Sequence, residues 1–326
     1  MPVLLSEQDV RQVLPMHDLI DAMAQTLRQF SSGDVVQPLR SVAELGGQRA
    51  FFGVMPAFIA DPASLGTKVV TVFPGNAAAG LPTHLATILL LDPATGELLA
   101  IVDGRFITEA RTAAVSAVSV RLLARRGRST LAIIGSGVQA RSHLEAIGLV
   151  SSLSAVRVWS PTAAHCRAFA REMQPRCTAP IAVAASAREA VEGADCVVLA
   201  TASHDIVVHR DWIRSGAHVC AVGACRPDQR EMDSALVAGA RLFVDSRIAA
   251  LAEAGDVMIP MSEGAFDAAH IAAELGEVAA GKAPGRRSDA EITIFKSVGL
   301  ALYDLYVANV FVAEAQRAGR GTALEP

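Results

Sequence analysis

Residues 129–149 read STLAIIGSGVQARSHLEAIGL, and the reading of this stretch decides the fold. Leu131 to Ile134 is a short apolar run rich in β-branched residues, the pattern of a buried parallel strand. Gly135-Ser136-Gly137-Val138-Gln139-Ala140 follows, and then Ala140, Leu144 and Ile147 recur at helical spacing. Strand, glycine turn and helix form the context in which GxGxxG/A signals a dinucleotide-binding unit, although a plain βα turn of another doubly wound fold has the same outline. In the dinucleotide reading Gly135 permits the turn and Gly137 lets backbone N–H groups approach a pyrophosphate. Ala140 allows close helix–strand packing, and Val138 and Gln139 open the helix at its positive end.

Downstream, the βα alternation predicts strands at 131–134, 155–159, 181–183, 196–200, 218–222 and 241–244, a parallel sheet of about six. Upstream, residues 107–124 read as a helix with Thr108 as its N-cap. Before it, strands are expected at 35–45, 50–58, 65–73, 85–91 and 98–102, preceded by a helix from Met16 to about Gly33. A final long helix is expected over residues 292–317. Its apolar face (Phe295, Val298, Leu302, Leu305, Val312) has no room on a covered parallel sheet and should return to the first part of the chain. The expected class is therefore α/β: a Rossmann doubly wound parallel sheet plus a discontinuous α+β domain. The boundaries fall at 1–116 with 297–326 for the α+β domain and at 117–296 for the Rossmann domain.

A chain of 326 residues with 52% hydrophobic residues can bury a core large enough for two domains. The net charge of −4, without a basic block, argues against a nucleic-acid surface. No apolar run has the length of a membrane span, and the N-terminus lacks the basic-then-apolar pattern of a signal peptide. Five cysteines (Cys166, Cys177, Cys196, Cys220, Cys225) form no CxxC pair; they read as reduced thiols of a cytoplasmic protein with no metal site.

Lysine is scarce, and Lys68 sits on a strand face shared with Val70 and Val72, so it either snorkels outward or presents a cation to a cleft. Arg111, placed in the first turn of the predicted helix, would be unfavourable unless an anion faces it. Arg40 reads by itself as an edge arginine, and His84 as a hydrogen-bonded structural histidine. After the second Rossmann strand comes Trp159-Ser160-Pro161-Thr162, without the acidic residue that binds the ribose of NAD. Ser160 and Thr162, with Arg167 in range, lean the cofactor toward NADP(H); a polar helix start explains them equally well.

Several strings together resemble the ornithine cyclodeaminase/μ-crystallin family. They are Gly66-Thr67-Lys68-Val69-Val70, Leu81-Pro82-Thr83-His84, residues 107–114 (ITEARTAA), GSGVQARSH from Gly135, residues 221–228 (AVGACRPD), 253–256 (EAGD) and 295–299 (FKSVG). The resemblance runs nearly end to end. It implies a homodimer whose substrate and dimerisation domain is built from both chain ends, with a Rossmann domain binding NAD(H) or NADP(H). Carried over, Arg40, Lys68 and Arg111 match positions that hold a substrate carboxylate. Thr83 and His84 match positions beside the nicotinamide, where Arg111 also counts as a contact, and Lys68, His84 and Arg111 form the catalytic set. Gly135, Gly137, Val138, Gln139, Ser160, Thr162, Thr201, Val222 and Ser297 match cofactor contacts.

The departures point to a branch. Cyclodeaminases have an aspartate where this chain has Cys225, and a base there suits a reaction that oxidises, cyclises and re-reduces an amine. A thiol is a poorer acceptor. The strings around Thr83-His84 and Arg226–Glu231 look more like the μ-crystallin and ketimine-reductase branch. Pro161 stands where that branch often has an arginine for the 2′-phosphate. The expected activity is NAD(P)H-dependent reduction of small cyclic ketimine carboxylates, such as Δ1-pyrroline-2-carboxylate to L-proline. Three alternatives stand beside it: ornithine cyclodeaminase with Asp228 as the base, a non-catalytic binder of cofactor and a small ligand, and an alanine-type dehydrogenase acting on pyruvate and ammonia.

Overall fold

The computed structural model describes residues 1–11, 15–46 and 50–324. The sequence also predicts a short helix after Ser6 carrying Val10, Val13 and Leu14 and a turn at Gly46-Gly47; Val13, Leu14 and Gly47 lie outside the described residues. The chain divides into two units, Met1–Arg111 with Leu300–Pro326, and Thr112–Gly299. The cuts therefore fall five residues before and three residues after those expected at 116/117 and 296/297.

The first unit contains a mixed sheet of β1 (Val3–Leu5), β2 (Val35–Val36), β3 (Ser41–Leu45), β4 (Ala50–Ala60), β5 (Ala63–Val72), β6 (His84–Leu91) and β7 (Leu98–Asp103). β4 to β7 run antiparallel, β1 lies parallel to β7, and the C-terminal strand Thr322–Ala323 pairs with β1. The single strand expected over 35–45 is two, β2 and β3, which pair with opposite ends of β4; Pro38 between them has no N–H to give a ladder. Helix Ala301–Arg317 packs on β4, β5 and β6 and against helix Met16–Ser32. Its Leu302, Leu305, Ala308 and Phe311 are buried, each large side chain contributing about 1.5–3 kcal/mol of apolar transfer. Gly66 makes this docking possible: a Cβ there would lie 2.1 Å from the Leu89 carbonyl oxygen and 2.7 Å from the Leu305 side chain.

The final helix is shorter than expected. Residues 293–296 are a strand, not a helix, because Thr293 and Ile294 are β-branched and the segment is buried on both faces. The backbone then turns at Gly299, whose φ is +80°, before the helix begins at Ala301. A second correction concerns helix Arg105–Leu123, which starts two residues before the expected Ile107. Thr108 is therefore no N-cap; it lies inside the helix and donates its hydroxyl to the Gly104 carbonyl at 2.7 Å. The helix start is held instead by Asp103, which accepts the Arg105 N–H at 2.9 Å.

In the second unit, β8 (Thr130–Ile134), β9 (Ala155–Trp159), β10 (Ile181–Val183), β11 (Cys196–Leu199), β12 (His218–Ala221), β13 (Arg241–Val244), β14 (Ile271–Glu274) and β15 (Thr293–Lys296) form one parallel sheet. There are eight strands where about six were expected, in the order β10-β9-β8-β11-β12-β15-β13-β14. The direction of winding reverses between β8 and β11, the crevice where doubly wound sheets bind their ligands. Among the described residues, no helix is long and apolar enough to cross a membrane.

Candidate active site

In the first unit, β5 carries Lys68 on the face covered by helix Ala301–Arg317. Only 2% of Lys68 is exposed, so this lysine does not snorkel. Its Nζ donates to Asp304 Oδ2 at 2.7 Å and lies 3.4 Å from Thr108 Oγ1. Arg111 Nε donates to the other carboxylate oxygen at 3.1 Å, and its guanidinium lies over the Tyr303 ring. Two buried cations thus share one buried carboxylate, an arrangement that keeps a surplus positive charge. Because the helix begins at Arg105, Arg111 is not in its first turn. The expected conflict with the helix dipole is absent, and Asp304 is what holds the guanidinium.

Electrostatics follow from the geometry. Burial pushes Lys68 down to about 8; Asp304 works against this, while Arg111 and Arg40 add to it. Burial raises the Asp304 carboxyl, but Arg111 and Lys68 overcome that and hold it below its ordinary value. His84, half-buried at the start of β6, is pushed down to about 4 by burial and then by Lys68 and Arg111, so it is neutral at physiological pH. Lys68, Arg111, Arg40 and His84 therefore belong to one electrostatic neighbourhood. Thr83 is exposed and precedes β6, its carbonyl accepting the Phe73 N–H.

In the second unit, Gly135 ends β8 with φ +114°, and a Cβ there would lie 2.5 Å from the Ala200 carbonyl oxygen. Only glycine fits. Gly137 precedes helix Val138–Val150, is exposed, and would have no atom within 4 Å of an added Cβ. No side chain caps this helix, so its first N–H groups remain available to an anion. Gln139 Oε1 is buried there without a partner. Arg141, which sequence reasoning passed over, clamps the turn by donating to the carbonyls of Ser136 and Gly137 at 2.7 and 3.0 Å. The glycine turn and the uncapped helix start fit a pyrophosphate. Ser160 is buried and hydrogen bonds Ser136 Oγ at 2.9 Å, whereas Thr162 is exposed and gives its helix no side-chain cap. Thr201 donates its N–H and hydroxyl to Glu231, Val222 is buried at the end of β12, and Ser297 donates to Asp245 at 2.7 Å.

Cys225 Sγ donates to the Val222 carbonyl at 3.3 Å. Asp228 is exposed and paired with Arg226 at 2.9 Å, which lowers its pKa. A base for amine chemistry needs a raised, sheltered carboxylate, and Asp228 has neither property. All five cysteines are thiols, and no group of described residues has the make-up of a metal site.

Residues 1–319 match the sequence profile of the ornithine cyclodeaminase/mu-crystallin family. The chain belongs to this family. Within it, ketimine reductase mu-crystallin of Mus musculus is 41% identical over 313 residues, 95% of this chain and 96% of the relative. A Delta(1)-pyrroline-2-carboxylate reductase of Bacillus cereus is 36% identical over 324 residues, 99% of each. Among solved structures, the Thermococcus litoralis Delta(1)-pyrroline-2-carboxylate reductase in complex with NADH and L-proline superposes with a TM-score of 0.97 at 40% identity, covering 99% of this chain and 100% of that one. Family membership accounts for the seven strings that carry the resemblance. Asp304, by contrast, went unnoticed, although one signal was present: a lone carboxylate between Tyr303 and Leu305 in an otherwise apolar helix face.

Proposed function

We propose that the protein is an NAD(P)H-dependent reductase of small cyclic ketimine carboxylates, with Δ1-pyrroline-2-carboxylate to L-proline as the type reaction. The observation that carries this reading is the buried Lys68–Asp304–Arg111 cluster, in which two cations share one carboxylate. Lys68 and Arg111, with Arg40, bind the substrate carboxylate with their surplus charge. The substrate's C=N is protonated, so a neutral His84 adjoins it without repelling it and can hold it or a water by hydrogen bonding. The imine nitrogen already carries its proton, so reduction needs no strong base, and a thiol at Cys225 suffices where cyclodeaminases have aspartate.

Gly135, Gly137, Val138 and Gln139 would hold the dinucleotide's pyrophosphate and Ser160 and Thr162 its adenosine end, with Thr201, Val222 and Ser297 as further cofactor contacts of the second unit; in the first unit Thr83, His84 and Arg111 are proposed as nicotinamide contacts. When bound, the reduced nicotinamide supplies the hydride for the imine carbon. No carboxylate follows β9 at Ser160 to Thr162, which supports NADP(H) beside NAD(H).

Met1–Arg111 with Leu300–Pro326 is proposed as the substrate-binding and dimerisation domain, and Thr112–Gly299 as the dinucleotide domain. A homodimer is supported by Phe52 and Leu85, 39% and 44% exposed, which share a sheet face through Thr71 on the side away from Lys68. A cytoplasmic setting suits the five thiols.

The test is loss of reduced-nicotinamide absorbance with Δ1-pyrroline-2-carboxylate, with NADH and NADPH in parallel. Oxidation with either supports the proposal. No oxidation, with ammonia released from L-ornithine and catalytic NAD, would replace it by cyclodeaminase; tight dinucleotide binding without turnover would indicate a non-catalytic binder.

A further inference from the structure

Behind the strand ends of the second unit lies a buried ionic cluster that the proposed reaction does not use. Glu231 is fully buried and accepts four hydrogen bonds. Its Oε1 takes the N–H and hydroxyl of Thr201 at 2.7 and 2.8 Å, and its Oε2 takes the N–H groups of Gly223 and Ala224 at 2.9 and 3.2 Å. Thr201 follows β11, and Gly223 and Ala224 follow β12, so one carboxylate ties together the carboxyl ends of two adjacent strands. The joint is tight, because a Cβ on Gly223 would lie 2.4 Å from Glu231 Oε1.

Glu231 is itself fixed: Asp256 Oδ1 accepts the N–H groups of Glu231 and Met232 at 2.7 and 3.1 Å. Lys296, at the end of β15, lies 3.1 Å from Asp256 Oδ2, and both are wholly buried. Burial and Asp256 push the Glu231 carboxyl up to about 7, while Lys296 and the four donors favour its charged form. A cluster of two buried carboxylates and one ammonium is costly to build unless it fixes something.

We infer that Glu231 is a positioning residue for dinucleotide binding, holding the loops after β11 and β12 in their binding arrangement before the dinucleotide arrives. The inference rests on the reductase reading, since Thr201 and Val222 lie in the proposed cofactor set. Glutamine is nearly the same size, but its NH2 would face two N–H donors in place of an acceptor. Lost acceptors for buried donors of this kind correspond to about tenfold or more in an equilibrium constant.

The experiment is direct titration of the full-length protein with NADH and NADPH, without imine, for wild type, Glu231→Gln and Asp195→Asn. Asp195 serves as the control because it ties the opposite end of the same sheet, accepting the Ser129 and Thr130 N–H groups at 2.9 and 3.1 Å. The expected result is dinucleotide binding at least tenfold weaker in Glu231→Gln, with KM for the imine little changed. Asp195→Asn should lose thermal stability but keep dinucleotide affinity. Equal losses of affinity in both variants, or none in Glu231→Gln, would overturn the inference while leaving the reductase reading intact. Wild type that binds neither dinucleotide would overturn both.

Hydrogen exchange supplies a test that needs no variant. The Thr201, Gly223 and Ala224 amides should exchange slowly in the dinucleotide-free protein; fast exchange that slows only on adding NADH would overturn the pre-arranged joint.

Discussion

Replacing Asp304 by asparagine would separate the charge of the buried cluster from its shape. The carboxylate lies 2.7 Å from Lys68 Nζ, and at an effective dielectric near 20 that attraction is about 6 kcal/mol. At about 1.36 kcal/mol per pH unit this equals roughly four units of support for the charged lysine, of which relaxation and entering water recover a large part. We therefore expect Lys68, already near 8, to fall by at least one unit. In the proposed site the substrate carboxylate is bound by protonated Lys68, so kcat/KM for the imine should decline in wild type as pH rises through about 8. In Asp304→Asn the decline should be centred at about 7 or below, giving at least about threefold loss at pH 7.5 while binding of the reduced dinucleotide is unchanged. Breaking a buried pair also costs about 3–5 kcal/mol of stability, part of which Lys68 recovers by releasing its proton. Initial rates from pH 6 to 9 with denaturant titrations give both quantities. A pH limb that stays at 8 in the variant would refute the assignment of Asp304 as the partner that keeps Lys68 charged.

Three other outcomes are expected. Lys68→Met should raise KM for the imine about 10- to 100-fold, the worth of a charge-assisted contact, with KM for the dinucleotide nearly constant; steady-state kinetics with each substrate varied in turn decides this. Gly135→Ala forces φ +114° on a residue with a Cβ aimed at the Ala200 carbonyl, so thermal unfolding should report at least about 2 kcal/mol of lost stability together with lost dinucleotide binding. Stability should also fall in mild acid. His84 and His143 sit near 4 and His218 near 3, all lowered chiefly by burial. Between those values and about 6.5 the unfolded chain binds more protons, and stability rises with pH. Glu231, raised to about 7, opposes this by one proton, leaving a net slope of about 3 kcal/mol per pH unit near pH 5 in urea titrations.

The parts of the fold that could be read in advance were those with local physical causes. The β-branched run before Gly135, the glycine turn and the spacing after it act within twenty residues, and the structure places them at the reversal point of the sheet. Lys68 stood out because a cation on an apolar strand face has few explanations. What escaped reading depended on distant partners. Asp304 gains its meaning from residues 236 and 193 positions away in the chain. Residues 293–296 carry an apolar pattern that suits a buried helix or a buried strand, and only their place between β12 and β13 decides it. The early start of helix Arg105–Leu123 likewise turns on Asp103, which accepts the Arg105 N–H five residues before Thr108, the residue the sequence marks as the cap.

The placement of β15 has a consequence for how the protein is made. This strand is the last of its sheet to leave the ribosome, yet it sits in the interior, between β12 and β13. Until residue 296 has emerged, both neighbours present unpaired apolar edges, and a nascent chain stalled or truncated before that point exposes a template for association with other chains. The N-terminal sheet waits longer still, since Lys68 meets its counter-ion only when Asp304 is translated. Folding of this protein is therefore completed from its C-terminus, and losing a few dozen terminal residues should do more harm than losing a surface loop from its middle.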